Sequence, residues 1–343
     1  MRPTAALLAL ALAAPAAAVD TVTVEGGDPV VGTITETSRD AITVSRRTSG
    51  DQQVPSADIT SVEFDGEPPA LKLARTAEEA GRTDDALAKL DEALREAGEG
   101  KPLRGEIEFL AARAKARAAE ADPAARADAV AALDAFVSAY PQHYRYYESQ
   151  LRLGRLHAAA GNGPSSEAAF RRLGGSPHAA HQMAAKIAAA DAKLAAGDVQ
   201  AAGAAYAEVA GMTAEGAAQE SRRLAALLGR AKVETATGEH AKAIATLDEV
   251  IDQTAAAETA VQAEAYLRRG DAYAAQGGQA KAAVMSYLHV DVIPSLAREA
   301  GPHAEALYRL ASLWPAVGHA DRGAEAAARL REAYPQSEWA SKL

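Results

Sequence analysis

Cysteine is absent from all 343 residues, which excludes disulfides, thiol catalysis and a lipid-modified cysteine. Aromatics are scarce at 5%. With alanine dominant, that scarcity favours helices packed through small residues over a bulky core or a sheet protein. Basic residues are outnumbered, 36 Lys and Arg against 46 Asp and Glu for a net charge of −10. An acidic chain without a basic patch argues against nucleic acid and anionic lipid as partners. No apolar run is long enough to span a bilayer. The 48% apolar and 24% charged content reads as a folded chain, neither membrane-embedded nor disordered.

Motifs that carry chemistry are equally scarce. There is no HExxH, no P-loop and no GxGxxG after a strand, so no cofactor is expected. Carboxylate pairs such as Glu78-Glu79 and Asp84-Asp85 read as solvated faces or first-turn acids facing a helix dipole. His178 and His181 have a spacing compatible with a metal pair, but no nearby Cys or Asp completes a site. They read as solvated histidines at a helix start.

What is present begins with a leader. Arg2, the Leu/Ala stretch Ala5 to Ala14 and the small residues Ala16-Ala17-Ala18 have the layout of a secretory signal peptide over residues 1–18. An exported, disulfide-free protein points to a bacterial envelope, periplasmic or extracellular. The ending Ser341-Lys342-Leu343 matches a peroxisomal address, which conflicts with that leader and is set aside.

Behind the leader the apolar period changes once. Over 19–66 it is two: Val22 and Val24, Ile42 and Val44, Val62 and Phe64, separated by Gly-, Pro- and Asp-rich turns. Four or five short strands are expected, bent at Gly32, and the pattern is similar to SH3-like or Sm-like barrels. So small a core is expected to lean on the first helices or on a partner. Residues 67–69, Glu67-Pro68-Pro69, form a linker, and from 70 to 343 the period is 3.6.

In that second region glycines recur at Gly81, Gly161, Gly197, Gly238, Gly277 and Gly318, at intervals of 80, 36, 41, 39 and 41. Ala86, Ala202, Ala243 and Ala282 stand five residues after a glycine; Leu90, Phe170, Tyr206 and Leu247 stand nine after. Such recurrence marks stacked helical hairpins, each unable to bury its apolar face alone. The run Tyr266-Leu267-Arg268-Arg269-Gly270-Asp271-Ala272-Tyr273 resembles helix A of a tetratricopeptide repeat, with Gly277 at the turn, Ala282 at the close helix contact and Pro294 ending helix B. Leu153-Gly154, His157, Gly161 and Phe170 resemble a second copy. Ala139-Tyr140-Pro141-Gln142 and Ala333-Tyr334-Pro335-Gln336 echo one another and look similar to helix ends of bacterial envelope tetratricopeptide proteins. The repeat near Ala121-Asp122-Pro123 lacks the turn glycine, and the last has Gly323 in place of alanine. The fold expected is a mostly α chain: an α-solenoid of about seven tetratricopeptide-like hairpins behind a small all-β, barrel-like module.

The resemblance implies that helix A lines a concave groove. That places Arg155, Asp191, Lys232, Asp271 and Ser312 at one recurring position, with Glu148, Glu305 and Tyr308 nearby. Their mixed signs suit a protein or peptide partner. Tyr140, Tyr144, Tyr146 and Tyr147, with His143 and Arg145, form a cluster open to two readings. It is a partner-contact patch, led by Tyr144, Tyr146 and Tyr147, or it is packing between repeats, the reading preferred on the usual role of aromatics. The function expected is a non-catalytic exported scaffold for a protein or peptide of the cell envelope. The alternative is a wall-associated module anchored to polysaccharide by its strands.

Overall fold

A computed structural model of the chain describes residues 19–98, 101–256 and 258–343. The expected leader lies outside the described residues. The first five elements are β1 (Asp20–Val24), β2 (Val30–Thr37), β3 (Ala41–Arg46), β4 (Gly50–Pro55) and β5 (Ile59–Glu63). All their pairings are antiparallel, in the order β4-β3-β2-β1-β5, so the chain meanders and then returns β5 to the free side of β1. Alternation points Val22, Ile42, Val44 and Val62 into a core they share with Val30, Val54 and Ile59. Bulges at Thr23/Val24 and Ile34/Glu36 bend the sheet. Gly32 serves close approach: a Cβ there would stand 2.4 Å from the Ser45 carbonyl oxygen.

Seven helical hairpins follow among the described residues. The first three are α1 (Pro69–Glu79) with α2 (Thr83–Glu96), α3 (Lys101–Ala121) with α4 (Arg126–Ala139), and α5 (Tyr146–Ala159) with α6 (Gly163–Gly174). Next come α7 (Ala179–Ala195) with α8 (Val199–Ala210), and α9 (Ala217–Ala236) with α10 (His240–Gln253). The last are α11 (Thr259–Gln276) with α12 (Ala280–Val292) and α13 (Ala300–Leu313) with α14 (Ala320–Ala333), followed by the single turn α15 (Glu338–Ser341). From α3 onward the first helices of successive hairpins touch one another, whereas the second helices pack chiefly on their chain neighbours. The first helices therefore line the inner face of the solenoid and the second form its outer layer.

The linker is shorter than the sequence suggested. Pro68 is the N-cap of α1 and Pro69 its first residue, where a missing N–H costs nothing. The turn glycines do what their spacing implied. Gly81, Gly161, Gly197, Gly238 and Gly318 have φ between 71° and 90°, and at each the next residue's amide donates to the carbonyl five back. Examples are Asn162 to His157 at 2.8 Å and Asp198 to Lys193 at 2.9 Å. This is the Schellman closure, which needs a left-handed residue after the helix. The glycine-free turn between α3 and α4 is held by Asp122, whose carboxylate accepts from the Ala124 amide at 2.9 Å.

One register assignment needs correction. Ala282 is only half-buried; the fully buried alanine of α12 is Ala283. Gly277 and Gly278 both have positive φ, so this turn holds one extra residue and the spacing counts from Gly278. Counted so, the aromatic nine residues on is Tyr287, which is buried against Gly270. A Cβ at Gly270 would fall 2.3 Å from that ring; Gly154 faces Phe170 at 2.2 Å and Gly229 faces Tyr206 at 2.3 Å. Glycine on the inner helix thus creates the slot that each large side chain fills. At Gly323 a Cβ would lie 2.9 Å from the Ala311 carbonyl oxygen, which explains the departure from alanine in the last hairpin.

Candidate functional site

Two constellations of polar side chains stand out, one joining the strands to the helices and one along the inner face. The first is built from the irregular segment before α5. Tyr144 enters the core of the β-sheet, and its hydroxyl donates to Glu106 Oε2 at 2.7 Å. Arg145 is 4% exposed and pairs with Glu106 at 3.2 Å and with Glu148 at 3.1 Å. Its guanidinium also reaches the Ile59 and Thr60 carbonyls on β5, while Arg75 donates to the Val62 carbonyl at 2.8 Å. Arginines from the solenoid thereby satisfy the outer edge of β5, which would otherwise offer unpaired backbone groups. Tyr147 donates to Asp40 Oδ1 at 3.1 Å, His178 Nε2 lies 2.6 Å from the Asp40 carbonyl oxygen, and Ala57 packs on Ala180 and Ala218. The β1–β2 turn presses on α9, where a Cβ on Gly26 would meet Ala217 at 2.3 Å.

The tyrosine cluster packs between repeats, with Tyr147 against Leu173, Ala184 and Ala185 and His143 against Phe136, and the same cluster also holds the strands through Tyr144, Arg145 and Tyr147. The histidines His178 and His181 are half-buried rather than freely solvated. His181 packs against Tyr147 and shares a contact with Ser176 Oγ at 3.0 Å, and His178 docks on Asp40. Burial depresses the His143 pKa to about 4, and burial with the neighbouring His178 and Arg222 takes His181 to about 3. Burial would raise the Glu106 carboxyl, but Arg145 outweighs it and holds the pKa below the usual carboxylate value. Tyr146 alone of the three tyrosines remains half-exposed, under the guanidinium of Arg39 at 5.5 Å. Among the described residues no group of three or more His, Asp or Glu is gathered as for a metal ion.

The second constellation lies on the first helices of the rear hairpins. Lys232 on α9 pairs with Glu264 on α11 at 2.8 Å; Arg268 joins Glu264 at 2.9 Å and reaches Glu305 on α13 at 2.7 Å. Arg309 then pairs with Glu305 at 3.0 Å and with Asp271 at 3.3 Å. Burial opposes ionisation of Glu264, but Lys232 and Arg268 prevail and bring its pKa to about 2. Asp271 also accepts from the Tyr287 hydroxyl at 2.9 Å, as Asp191 does from Tyr206 at 2.5 Å. Burial, with these aspartates, raises both phenols' pKa values.

The structure thus brings Lys232, Asp271 and Glu305 into one network, together with Glu264, Arg268 and Arg309, which the sequence reading passed over. A signal for them was available. Glu148/Arg152, Glu264/Arg268 and Glu305/Arg309 each stand thirteen and nine residues before a turn glycine, the spacing for one helix face. Cavities of about 430 and 380 Å³ flank Asp271, with Thr235 shared between them and Ser312 lining the larger. Tyr308 lies apart, against Trp339 of α15 at 5.3 Å. Towards the front, Glu148 is held by Arg152 and Arg145, while Asp191 stays exposed. Arg155 lines a hollow of about 330 Å³ with Arg126, Arg152 and Glu120. It is exposed and has no ion pair among the described residues. The surrounding wall crowds it enough to lower its pKa, against the attraction of Asp191.

No protein-family model matches the sequence, and no curated protein matches it. Solved structures do resemble it. A tetratricopeptide repeat protein from Parabacteroides merdae is 14% identical, with 79% of this chain and 96% of that one covered at a TM-score of 0.49. The pilF protein of Pseudomonas aeruginosa is 13% identical over 68% of this chain and 97% of its own, TM-score 0.41. A Rap protein complexed with competence and sporulation factor is 14% identical over 80% and 77%, TM-score 0.48. The tetratricopeptide-like architecture rests on the chain's own hairpins, turn closures and glycine–aromatic slots.

Proposed function

We propose that the protein is a non-catalytic, exported scaffold whose inner face binds a protein or peptide segment of the bacterial cell envelope. One observation carries the reading: the inner face combines half-exposed charges of both signs with hollows between successive first helices. Cations and anions in alternation suit a peptide of mixed charge, whereas a phosphate backbone needs a run of one sign. Arg155 and Asp191 are the contacts of choice because both are exposed. Asp271 and Glu305 are already engaged with arginines; they shape the wall and become available only where a ligand charge substitutes.

Capture from envelope extract tests this. Wild type is expected to retain a defined partner that Arg155→Glu and Asp191→Lys release; an empty wild-type column, or the same partner retained by both variants, contradicts it. Fractionation of native cells, with the protein found outside the cytoplasm, tests the export. The sheet order and the two bulges also support an SH3-like or Sm-like assignment for the strands. The second reading, anchoring to wall polysaccharide, has in its favour that β4 is a sheet edge with no strand beside it among the described residues. It predicts that the chain sediments with purified wall and that substitutions in β4 prevent this.

A further inference from the structure

Away from the inner face, a groove of about 700 Å³ runs between the outer helix α6 and the first helix α7. Neither Arg155 nor Asp191 lines it. Its floor is Phe170 and the stripe Ala185, Ala189, Ala192 and Ala196. The repeat explains why it is open. Eight residues before the turn glycine, the other units carry Leu73, Leu153, Arg230, Arg269 and Leu310; here the residue is Ala189. Leu153 is buried. Arg230 reaches Thr246 at 3.0 Å, and Arg269 bridges Asp248 and Ser286 on the two flanking helices. In the stacked hairpins the buried leucines and the arginines take the space that Ala189 leaves empty.

The rim has a sign. Arg171, Lys186 and Lys193 face a single acid, Glu167, and all four are exposed. Lys186 is paired with Glu208 on α8; Arg171 and Lys193 have no ion pair among the described residues. On a chain of net charge −10 this is a local reversal. The bounding helices have 12 and 17 residues, roughly 18–25 Å at 1.5 Å per residue, or about three to five turns of a helix laid along them.

We propose that this groove receives an acidic amphipathic helix of a partner protein, its apolar face on the alanine floor and its carboxylates against Arg171 and Lys193. Small floor residues permit the close helix approach, and the cationic rim selects the partner's charge. This occupant is distinct from any peptide on the inner face.

The test uses a fluorescent synthetic helix of about 14 residues, roughly four turns, with leucines on one face and glutamates on the other, and the same peptide with lysines. Fluorescence anisotropy is expected to show the acidic peptide binding at least about tenfold tighter than the basic one. Ala189→Leu, a residue the chain already accommodates at Leu153, should abolish that binding with helicity unchanged by circular dichroism. Arg171→Glu with Lys193→Glu, both at exposed positions, should weaken it without touching the core, and Arg155→Glu should leave it intact. No binding of the acidic peptide, equal binding of the lysine peptide, or loss through Arg155→Glu instead would overturn the proposal. A concentration-dependent dimer abolished by Ala189→Leu would also overturn it, by assigning the groove to a second copy of the chain.

Discussion

The front and rear of this solenoid bury charge in different ways. Around hairpins one to three, Arg145 and Glu106 are sealed between strands and helices, and the arginine satisfies carbonyls on β5 as well as its acid. Along hairpins five to seven, Lys232, Glu264, Arg268, Glu305 and Arg309 form a ladder across three parallel first helices with their edges in water. The front network holds two unlike structures together, and its central pair, Arg145 with Glu106, has no solvent substitute. The rear ladder ties like to like, and water or a ligand can replace a partner. Regular repeats supply a surface; the irregular segments join the strands to it.

The comparison is broken most severely at Arg145. Arg145→Ala leaves Glu106 buried without a counter-charge and is expected to cost about 3–5 kcal/mol, read by urea denaturation. Arg309→Ala on the half-exposed ladder should cost only about 0.5 kcal/mol. Equal losses would erase the distinction.

Acid should separate the two halves next. His143 and His181 titrate near 6.5 when unfolded and at about 4 and about 3 in the fold. Because their folded values are depressed, the native state is favoured above pH 6.5, and stability is lost as pH falls from there towards 4. For His143 the loss approaches about 3 kcal/mol by pH 4. Glu264 in the rear, with a folded pKa of about 2 against an unfolded 4.5, contributes stability above pH 4.5 that is lost only as pH falls towards 2. The chain's two tryptophans, Trp314 and Trp339, both lie in or after the last hairpin. Their fluorescence should hold while the tyrosine near-ultraviolet dichroism, to which the front cluster contributes four of the ten tyrosines, changes between pH 6 and 4. Simultaneous change would show that the two halves do not respond separately.

A smaller effect sharpens the role of the slots. Gly154→Ala drives a methyl into the Phe170 ring and is expected to cost about 2 kcal/mol, whereas Gly174→Ala, with its nearest neighbour at 3.6 Å, should be within about 0.5 kcal/mol of wild type. Thermal unfolding of the pair decides between a filled slot and mere helix propensity.

Much of this architecture was readable in the sequence because its causes are local. A left-handed turn residue, a small residue five on and a large one nine on are consequences of one hairpin's geometry, so Gly81 through Gly318 announced the units. The failure at Ala282 has the same origin: Gly277-Gly278 inserts one residue that spacing alone cannot distinguish. That the small β core would lean on helices or on a partner was readable, but the residues that dock it were not, because they form pairs such as Asp40 with Tyr147 and His178, more than a hundred residues apart. The cluster of tyrosines was visible, but what they face is decided by the path of the superhelix. On the inner face, the positions of Lys232, Asp271 and Glu305 were legible from the repeat, whereas their mutual pairing required the spacing between neighbouring helices.

The central claim, that the irregular front segment fastens the strands to the solenoid as one body, is tested most directly by hydrogen–deuterium exchange on wild type and Arg145→Met. In wild type, amides of 20–63 should be protected together with those of α5 and α7. In the variant, the protection of 20–63 should fall while that of α11 to α14 is unchanged. Strands that exchange independently of α5 and α7 in wild type, or that keep their protection in the variant, would contradict it.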